Sequence, residues 1–304
     1  MKGYRLGTII IRNSEQKVNF NGSITESEFN ELRKHISNLF EHKIHQELFA
    51  IFIINFLDFN EYFKAEIKKL IKNHGNLLEN NLVDMQIIYR NANRLFLNYL
   101  SSGRTLLDHT ETYLKRKYGK SSKEILKFKY KTNKVYDESF EYRFMYKLRN
   151  YAQHCGLPIN EIIYSINNNR EKNERKLNLN PMFNVDKLLD NYDGWGEKLK
   201  DDFKSKPKNI PTTSVIGEHF KSFKSLNNTF FKIEIESLNE SISFIENFKE
   251  KYEPYSQDEN IQLCVFYNFR LTIPNSYENS KFDTYNLPIE LINEIKTKTT
   301  ANNL

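Results

Sequence analysis

Cysteine is scarce in this chain, which has 304 residues and only two cysteines, Cys155 and Cys264. Two cysteines this far apart have neither the spacing of a zinc site nor the number needed for a disulfide framework. A reducing compartment suits such a chain, so a cytoplasmic location is expected. Cys155 is predicted to be a small buried hydrophobic side chain.

Long hydrophobic runs and cofactor motifs are also missing. The apolar run at residues 9–11 stops at Arg12, and the run at residues 48–57 contains Asn55, so neither a signal peptide nor a membrane span is predicted. The sequence has no Walker-type phosphate loop, nucleophile elbow or kinase signature. The GWG sequence at residues 194–196 lacks the next glycine of a dinucleotide-binding loop. No cofactor and no metal are therefore expected.

What the chain does have is a moderate apolar content that is rich in aromatic side chains. Apolar residues make up 39% of the sequence and aromatic residues 14%, so Phe and Tyr must supply much of the core. The formal net charge is +6 and the pI is near 8.9, with basic and acidic residues interspersed. This balance permits binding to a polyanion such as RNA but does not require it.

The hydrophobic pattern predicts a mainly α fold in three parts. Residues 1–24 have β-branched stretches and an Asn-Gly turn signal, which predict a β-hairpin. Residues 25–159 show helical spacing and are expected to form a helical bundle. Residues 160–304 are expected to form a mostly helical region of unknown role, with a small hairpin at its start and one strand near its end.

Several element boundaries can be predicted within these parts. A helix at about residues 45–72 is expected to be distinct from the one before it, although residues 49–56 also fit a strand. Residues 82–118 are predicted to form one long helix in which Gly103 marks a close helix crossing or a kink. Residues 215–252 are predicted to form two helices.

The most informative stretch is residues 137–158, with the sequence DESFEYRFMYKLRNYAQHCGLP. A helix is predicted from near Ser139 to about residue 155, with Asp137 or Ser139 as its N-cap. Gly156 suits a left-handed residue just after the helix. At about 100° per residue, one stripe is apolar and is expected to be buried: Phe140, Phe144, Leu148, Tyr151 and Cys155. The other side is a continuous polar arc of Arg143, Tyr146, Arg149, Asn150, Gln153 and His154.

Two members of this arc, Arg149 and His154, have side chains suited to cleavage of a phosphodiester. Arginine is always charged, and its planar fork matches phosphate oxygens. The carbonyl end of the helix favours the imidazolium of His154, which can then donate a proton near neutral pH. The alternative is a solvated polar face with a C-terminal histidine and no catalytic role.

The hexapeptide RNYAQH at residues 149–154 resembles the signature of the HEPN superfamily, an arginine followed at a short distance by a histidine. Asn150 occupies the position after the arginine, where a polar residue is often found. The aromatic-rich helix before the motif and the glycine after it also fit, and the resemblance extends over residues 25–159. It implies an HEPN-like helical bundle that pairs as a homodimer, with the active site formed by two motifs at the dimer interface.

What the resemblance implies about activity is a metal-independent endoribonuclease, of the kind found in bacterial toxin–antitoxin or anti-phage defence systems. The ribose 2′-OH would attack the adjacent phosphate of an RNA such as tRNA and leave a 2′,3′-cyclic phosphate. Arg149 would stabilise the phosphorane charge, His154 would act as general acid or base, and Asn150 would orient the histidine or the phosphate. Beside RNA and a second copy of the chain, an antitoxin or defence-system partner is implied.

Two other functions remain open from the sequence. One is a non-catalytic HEPN-like module that binds RNA, a nucleotide or a partner protein. The other is a plain helical scaffold in which the hexapeptide is a coincidence.

Some residues outside the motif are candidates for supporting it. Arg104 and Asp108 lie four residues apart on the long helix, so they form either an intrahelical ion pair or, through Asp108 or His109, a support behind the motif. Within the motif helix, lower-ranked candidates are Tyr146, Gln153 and Arg143.

Two further groups of residues can be interpreted either as structural or as functional. The lysine-rich residues 115–134, with Tyr118, Phe128 and Tyr130, could guide an RNA backbone or form a solvated loop. A group of three histidines lacks a further ligand for a metal site and is predicted to lie on a helix surface: His35, His42 and His45.

Overall fold

The computed structural model describes residues 3–12, 15–72, 81–169, 174–250, 261–270 and 281–302. The described residues form eight helices and seven short or medium strands, so the predicted mainly α fold class is confirmed. The helices are α1 (Glu26–Lys72), α2 (Asn81–Tyr118), α3 (Lys123–Glu138), α4 (Phe140–His154), α5 (Val185–Asp190), α6 (Glu197–Lys204), α7 (Thr212–Glu250) and α8 (Ile289–Asn302). The strands are β1 (Tyr4–Arg12), β2 (Glu15–Ile24), β3 (Glu161–Asn169), β4 (Glu174–Asn184), β5 (Asn209–Pro211), β6 (Ile261–Arg270) and β7 (Lys281–Asn286).

Two helices are longer than predicted. α1 has 47 residues and α7 has 39, so each is one helix where the sequence predicted a break, and residues 49–56 are helical rather than a strand. Neither predicted break contains a glycine or a proline, and polar residues alone do not end a helix. The predicted start of α1 is confirmed, because Thr25 Oγ1 accepts from the Glu28 N–H at 3.2 Å and the Thr25 N–H donates to the Glu28 carboxylate at 2.9 Å.

The histidines of α1 are buried, so the prediction that they lie on the surface was wrong. Their exposed fractions are 7% or less: His35, His42 and His45. Nδ1 of His35 lies 3.1 Å from Ser241 Oγ. The two ring nitrogens of His45 lie 3.1 Å from Asn227 Oδ1 and 3.2 Å from Thr110 Oγ1. These partners come from distant parts of the sequence and allow a polar ring to be buried.

The chain divides into two compact units, one made of residues 1–44 and 234–304 and the other of residues 45–233. These units do not coincide with the three parts predicted from the sequence, 1–24, 25–159 and 160–304. Composition changes along the chain do not show that the first half of α7 lies in the same compact unit as the helices that precede it.

The unit of residues 1–44 and 234–304 contains an antiparallel sheet with the strand order β2-β1-β6-β7. The predicted N-terminal hairpin and the strand near the C-terminus are both present in it, and β1 pairs with β6. Aromatic rings fill one face of the sheet, with the Phe20 and Phe266 centroids 5.0 Å apart.

The unit of residues 45–233 has an aromatic core and a small sheet of order β3-β4-β5, whose first two strands are the hairpin predicted after the motif. Phe52 of α1 lies between Tyr99 of α2 and Phe223 of α7, with ring centroids at 4.9 and 4.5 Å. Gly103 allows this approach, because a Cβ there would lie 3.0 Å from the Phe52 ring and 3.3 Å from the Phe223 ring. The predicted close helix crossing at Gly103 is confirmed.

The motif helix α4 begins as predicted and ends slightly earlier. The Ser139 hydroxyl caps it by accepting from the Tyr142 N–H at 3.1 Å. The Cys155 N–H still donates to the Tyr151 carbonyl, but Cys155 leaves the helical conformation and is exposed, so its predicted burial was wrong. Gly156 is not left-handed either, since the only glycines with positive φ in the described ranges are Gly119 and Gly196.

The crossing at Gly103 predicts a position-dependent effect on stability. Gly103→Val should lower the free energy of unfolding by about 1–3 kcal/mol more than Gly217→Val, because the added side chain meets two buried rings. Gly217 is the matched control, since it also lies in a helix but its Cβ would meet nothing within 4 Å. Chemical denaturation of both variants would measure the difference, and equal losses would contradict the close crossing.

Candidate functional site

The first turn of α4 is held by Arg143, whose side chain is only 5% exposed. Its Nε and Nη2 donate to one carboxylate oxygen of Asp202 at 2.9 and 2.6 Å, and Nη1 donates to the carbonyls of Tyr136 and Asp137. The placement of Arg143 on the solvent-facing arc was therefore wrong. A buried guanidinium needs such a set of acceptors, and this one ties α4 to α6.

The other end of α4 is tied to α2. Asn93 of α2 donates from Nδ2 to the Ile159 carbonyl at 2.9 Å, and its Oδ1 accepts from the Ile159 N–H at 3.0 Å. Further along α2, the Arg104 guanidinium lies 5.5 Å from the Tyr146 ring centroid on α4. Asn93 lies near residue 159, whereas Arg104, later on α2, lies near Tyr146, earlier on α4. The two helices therefore run antiparallel.

A pocket of about 90 Å³ lies where α2, α4 and α7 meet. Its lining includes partly or well exposed polar side chains and a set of buried ones. The more exposed members are Arg104, Tyr146, Arg149 and Asn150; the deeper members include Tyr142, Met145, His219 and Phe223. The structure thus brings Arg149 and Asn150 of the motif together with two lower-ranked candidates, Arg104 and Tyr146. We call this cavity the Arg149 pocket.

Sequence reasoning missed His219 and Phe223, which come from α7 and complete the deep side of the Arg149 pocket. His219 Nδ1 lies 2.8 Å from the Tyr99 hydroxyl, and its ring stacks on Tyr142 with centroids 5.7 Å apart. Burial lowers the pKa of His219 to about 3, so the ring is neutral near physiological pH. Burial likewise raises the pKa of Tyr99. The deep side of the pocket is therefore uncharged.

The remaining motif residues lie beyond the pocket. Gln153 and His154 are exposed and do not line it, although each is one turn after a residue that does. His154 follows Asn150 by four residues and so shares its helix face. Arg149 and His154 of a single chain therefore do not enclose one cavity.

The Arg104–Asp108 pair forms an intrahelical ion pair, one of the two interpretations left open by the sequence. Arg104 Nη2 and Nε lie 2.8 and 2.9 Å from the two Asp108 oxygens. Asp108 and His109 are exposed and do not line the pocket. Arg104, rather than either of them, reaches the motif helix.

The lysine-rich residues 115–134 span the end of α2 and most of α3, so the solvated loop, one of the two interpretations left open by the sequence, is limited to the short connection at residues 119–122. Phe128 is buried and Tyr118 is half-buried, with the Lys117 ammonium 5.1 Å from the Tyr118 ring centroid. Tyr130 is 71% exposed, which leaves its ring accessible to a stacked base.

Neither a metal site, a membrane-spanning helix nor a similar protein gives further information about function. Within the described ranges, no three side chains of His, Cys, Asp or Glu come together as metal ligands, and no helix there has an apolar stretch that could traverse a bilayer. Comparisons with protein-family models, curated proteins and solved structures find no match to this chain. The resemblance to HEPN proteins therefore depends on the motif and its setting.

The buried histidine predicts a pH dependence of stability. The pKa of His219 is lower in the folded protein than its ordinary value of 6.5, so the unfolded chain takes up a proton that the folded chain does not. Above pH 6.5, His219 is therefore neutral in both states and does not change the free energy of unfolding. As the pH decreases from 6.5 towards 3, the free energy of unfolding should fall by up to about 1.4 kcal/mol per pH unit.

Urea unfolding at a series of pH values between 7.5 and 4 would measure this effect. His219→Gln should flatten the fall, whereas His109→Gln, at an exposed position on α2, should follow the wild-type curve. If the free energy of unfolding changed with pH in the same way in wild type and His219→Gln, His219 would not be buried in its neutral form.

Proposed function

We propose that this protein is a metal-independent endoribonuclease of the HEPN type that acts as a homodimer. The observation that carries the proposal is the placement of Arg149 and Asn150 at a pocket that also presents Arg104 and is lined by no carboxylate among the described residues. Such a lining suits a phosphate group, because the Arg149 guanidinium can bind its oxygens and Arg104, which is ion-paired with Asp108 outside the lining, adds a second guanidinium beside them.

Each motif residue has a role in this reaction. The ribose 2′-OH attacks the adjacent phosphorus, the bond to the 5′-oxygen breaks, and a 2′,3′-cyclic phosphate and a 5′-OH remain. Arg149 stabilises the negative charge that grows on the phosphorane oxygens, and Asn150 orients the phosphate. His154 donates a proton to the leaving oxygen or removes one from the attacking hydroxyl.

The dimer supplies what a single chain lacks. His154 is exposed outside the Arg149 pocket of its own chain, so in the proposed homodimer a twofold axis between the motif helices has to bring His154 of the second copy to that pocket. Each of the two sites would then combine Arg149 and Asn150 of one copy with His154 of the other.

The biological setting follows from the resemblance. A toxin or anti-phage nuclease acts in the cytoplasm on RNA such as tRNA and is restrained by an antitoxin or another defence-system partner. The mildly basic net charge of +6 is compatible with RNA as a ligand.

Binding of RNA, a nucleotide or a partner protein without cleavage is a second candidate, and one observation favours it. The histidine among the residues that line the Arg149 pocket is His219, which is buried and neutral and so is not a proton donor at physiological pH. Two guanidiniums and an amide can bind a phosphate without any acid or base.

A cleavage assay in EDTA tests the ribonuclease. Arg149→Ala and His154→Ala should each lower the rate on total tRNA by about 100-fold or more, since each removes one component of transition-state stabilisation or proton transfer. Matched controls are Arg116→Ala and His109→Ala, both exposed on α2. Cleavage that persists in both motif variants would exclude the site. No cleavage by wild type, with RNA binding weakened in Arg149→Ala only, would favour the binding function.

Mixing the two inactive variants tests the shared site. A heterodimer of Arg149→Ala and His154→Ala keeps one intact site if each site uses both copies and none if each site uses one copy. Random exchange should then restore about a quarter of wild-type activity. Light scattering would establish the oligomeric state first, and a strict monomer, or a mixture that stays inactive, would contradict the shared site.

A further inference from the structure

A second hollow, larger and more open than the Arg149 pocket, lies on the N-terminal half of α2. Its volume is about 490 Å³, and α2 lines it from Gln86 to Asn98. Leu157, in the segment just after the motif helix, lines its other side. We call this hollow the α2 groove.

The α2 groove and the Arg149 pocket lie along one face of α2. Residues at alternating intervals of four and three share a face of a helix, and such a series runs along α2 through Gln86, Arg90, Asn93, Leu97, Leu100, Arg104 and Leu107. The first four line the groove and the last three line the pocket. At 1.5 Å per residue, the shared face extends for about 30 Å.

The α2 groove also borders the end of the motif helix. Asn93, which lines the groove, makes the two hydrogen bonds to the backbone of Ile159. Leu157 follows His154 by only three residues. A ligand that occupies the groove and continues along α2 would therefore pass the end of α4 before it reaches Arg149.

The chemistry of the α2 groove suits a sugar–phosphate chain. Arg90 and Arg94 are exposed there, Gln86 and Asn98 add amide groups, and no carboxylate lines the groove in the described part of the chain. Arginines on an open surface bind phosphates through charge and counterion release. Leu157 offers apolar surface to a base. An apolar partner helix would instead cover two guanidiniums, of which Arg94 has Asn91 Oδ1 at 3.4 Å as an acceptor, and would supply no anion to pair with them, which is costly.

We propose that the α2 groove binds single-stranded RNA next to the cleavage point and directs it to the Arg149 pocket. The inference rests on the proposed ribonuclease function for the step that follows, but RNA binding can be tested without cleavage.

The test measures binding of a fluorescein-labelled, unstructured 12-nucleotide RNA by anisotropy, in a His154→Ala background so that the RNA stays intact. Arg90→Gln/Arg94→Gln should weaken binding about 10- to 25-fold near 0.1 M salt and lower the slope of log affinity against log salt by about 1.4, which corresponds to two lost phosphate contacts on a single strand. Arg90→Lys/Arg94→Lys keeps both charges and should retain most of the slope.

The matched control is Lys64→Gln/Lys68→Gln, which removes the same charge with the same spacing from exposed positions on α1. It should leave the slope within a few tenths of wild type. Asn98→Glu keeps both arginines but adds a carboxylate to the groove, so it should also weaken binding. It remains informative if the double glutamine variant fails to fold.

The outcomes separate the two proposals. A slope that falls in the groove variants and not in the control supports the α2 groove even if wild type cleaves no RNA. Slopes that are equal in the groove and control variants would overturn the groove even if wild type is an active ribonuclease. Absence of RNA binding by the His154→Ala protein would overturn it as well.

Discussion

The antiparallel packing of α2 against α4 is the constraint on which the candidate site depends. Asn93 fixes one end of the contact through the backbone of Ile159, and Arg104 fixes the other by lying over Tyr146. Because a helix turns by about 100° per residue, a fixed register decides which side chains of α4 face α2. This register directs Arg149 into the pocket.

The deep side of the pocket depends on a different element, the first half of α7. His219 hydrogen-bonds Tyr99 inside a core of aromatic rings, so a polar pair is buried without a charge. With a neutral floor, Arg149 sets the charge at the rim of the pocket, because the charge of Arg104 is balanced by its ion pair with Asp108. An uncharged floor below a cationic rim is a suitable arrangement for an anion that must bind at the rim.

The sequence predicted what local rules control. The cap at Ser139, the start of α4, the long helix α2 and the close crossing at Gly103 all follow from turn chemistry and 3.6-residue spacing. Arg149, Asn150 and Tyr146 were placed on the accessible face for the same reason. The mainly α fold class followed from the same patterns.

Long-range packing explains what the sequence did not predict. Whether Arg143 at the margin of a polar arc is buried depends on Asp202, about 60 residues away, which supplies its acceptor. His219 has no local signal that connects it to the motif, since its partners lie on α2 and α4. Cys155 followed the apolar stripe in sequence, but its exposure depends on where the helix ends. The ribonuclease activity itself stays a proposal.

The Arg143–Asp202 ion pair has a consequence for how this domain could be dissected or transplanted. A fragment that ended at residue 159 would keep the whole hexapeptide, yet it would lose the carboxylate that neutralises Arg143 and the α7 rings beneath the pocket. In such a fragment Arg143 would keep the carbonyls of Tyr136 and Asp137 as acceptors but would have no counterion, and the aromatic residues that pack on α7 would be uncovered. The motif therefore cannot be transferred by itself to another protein, because its geometry is maintained by residues that follow it in the sequence.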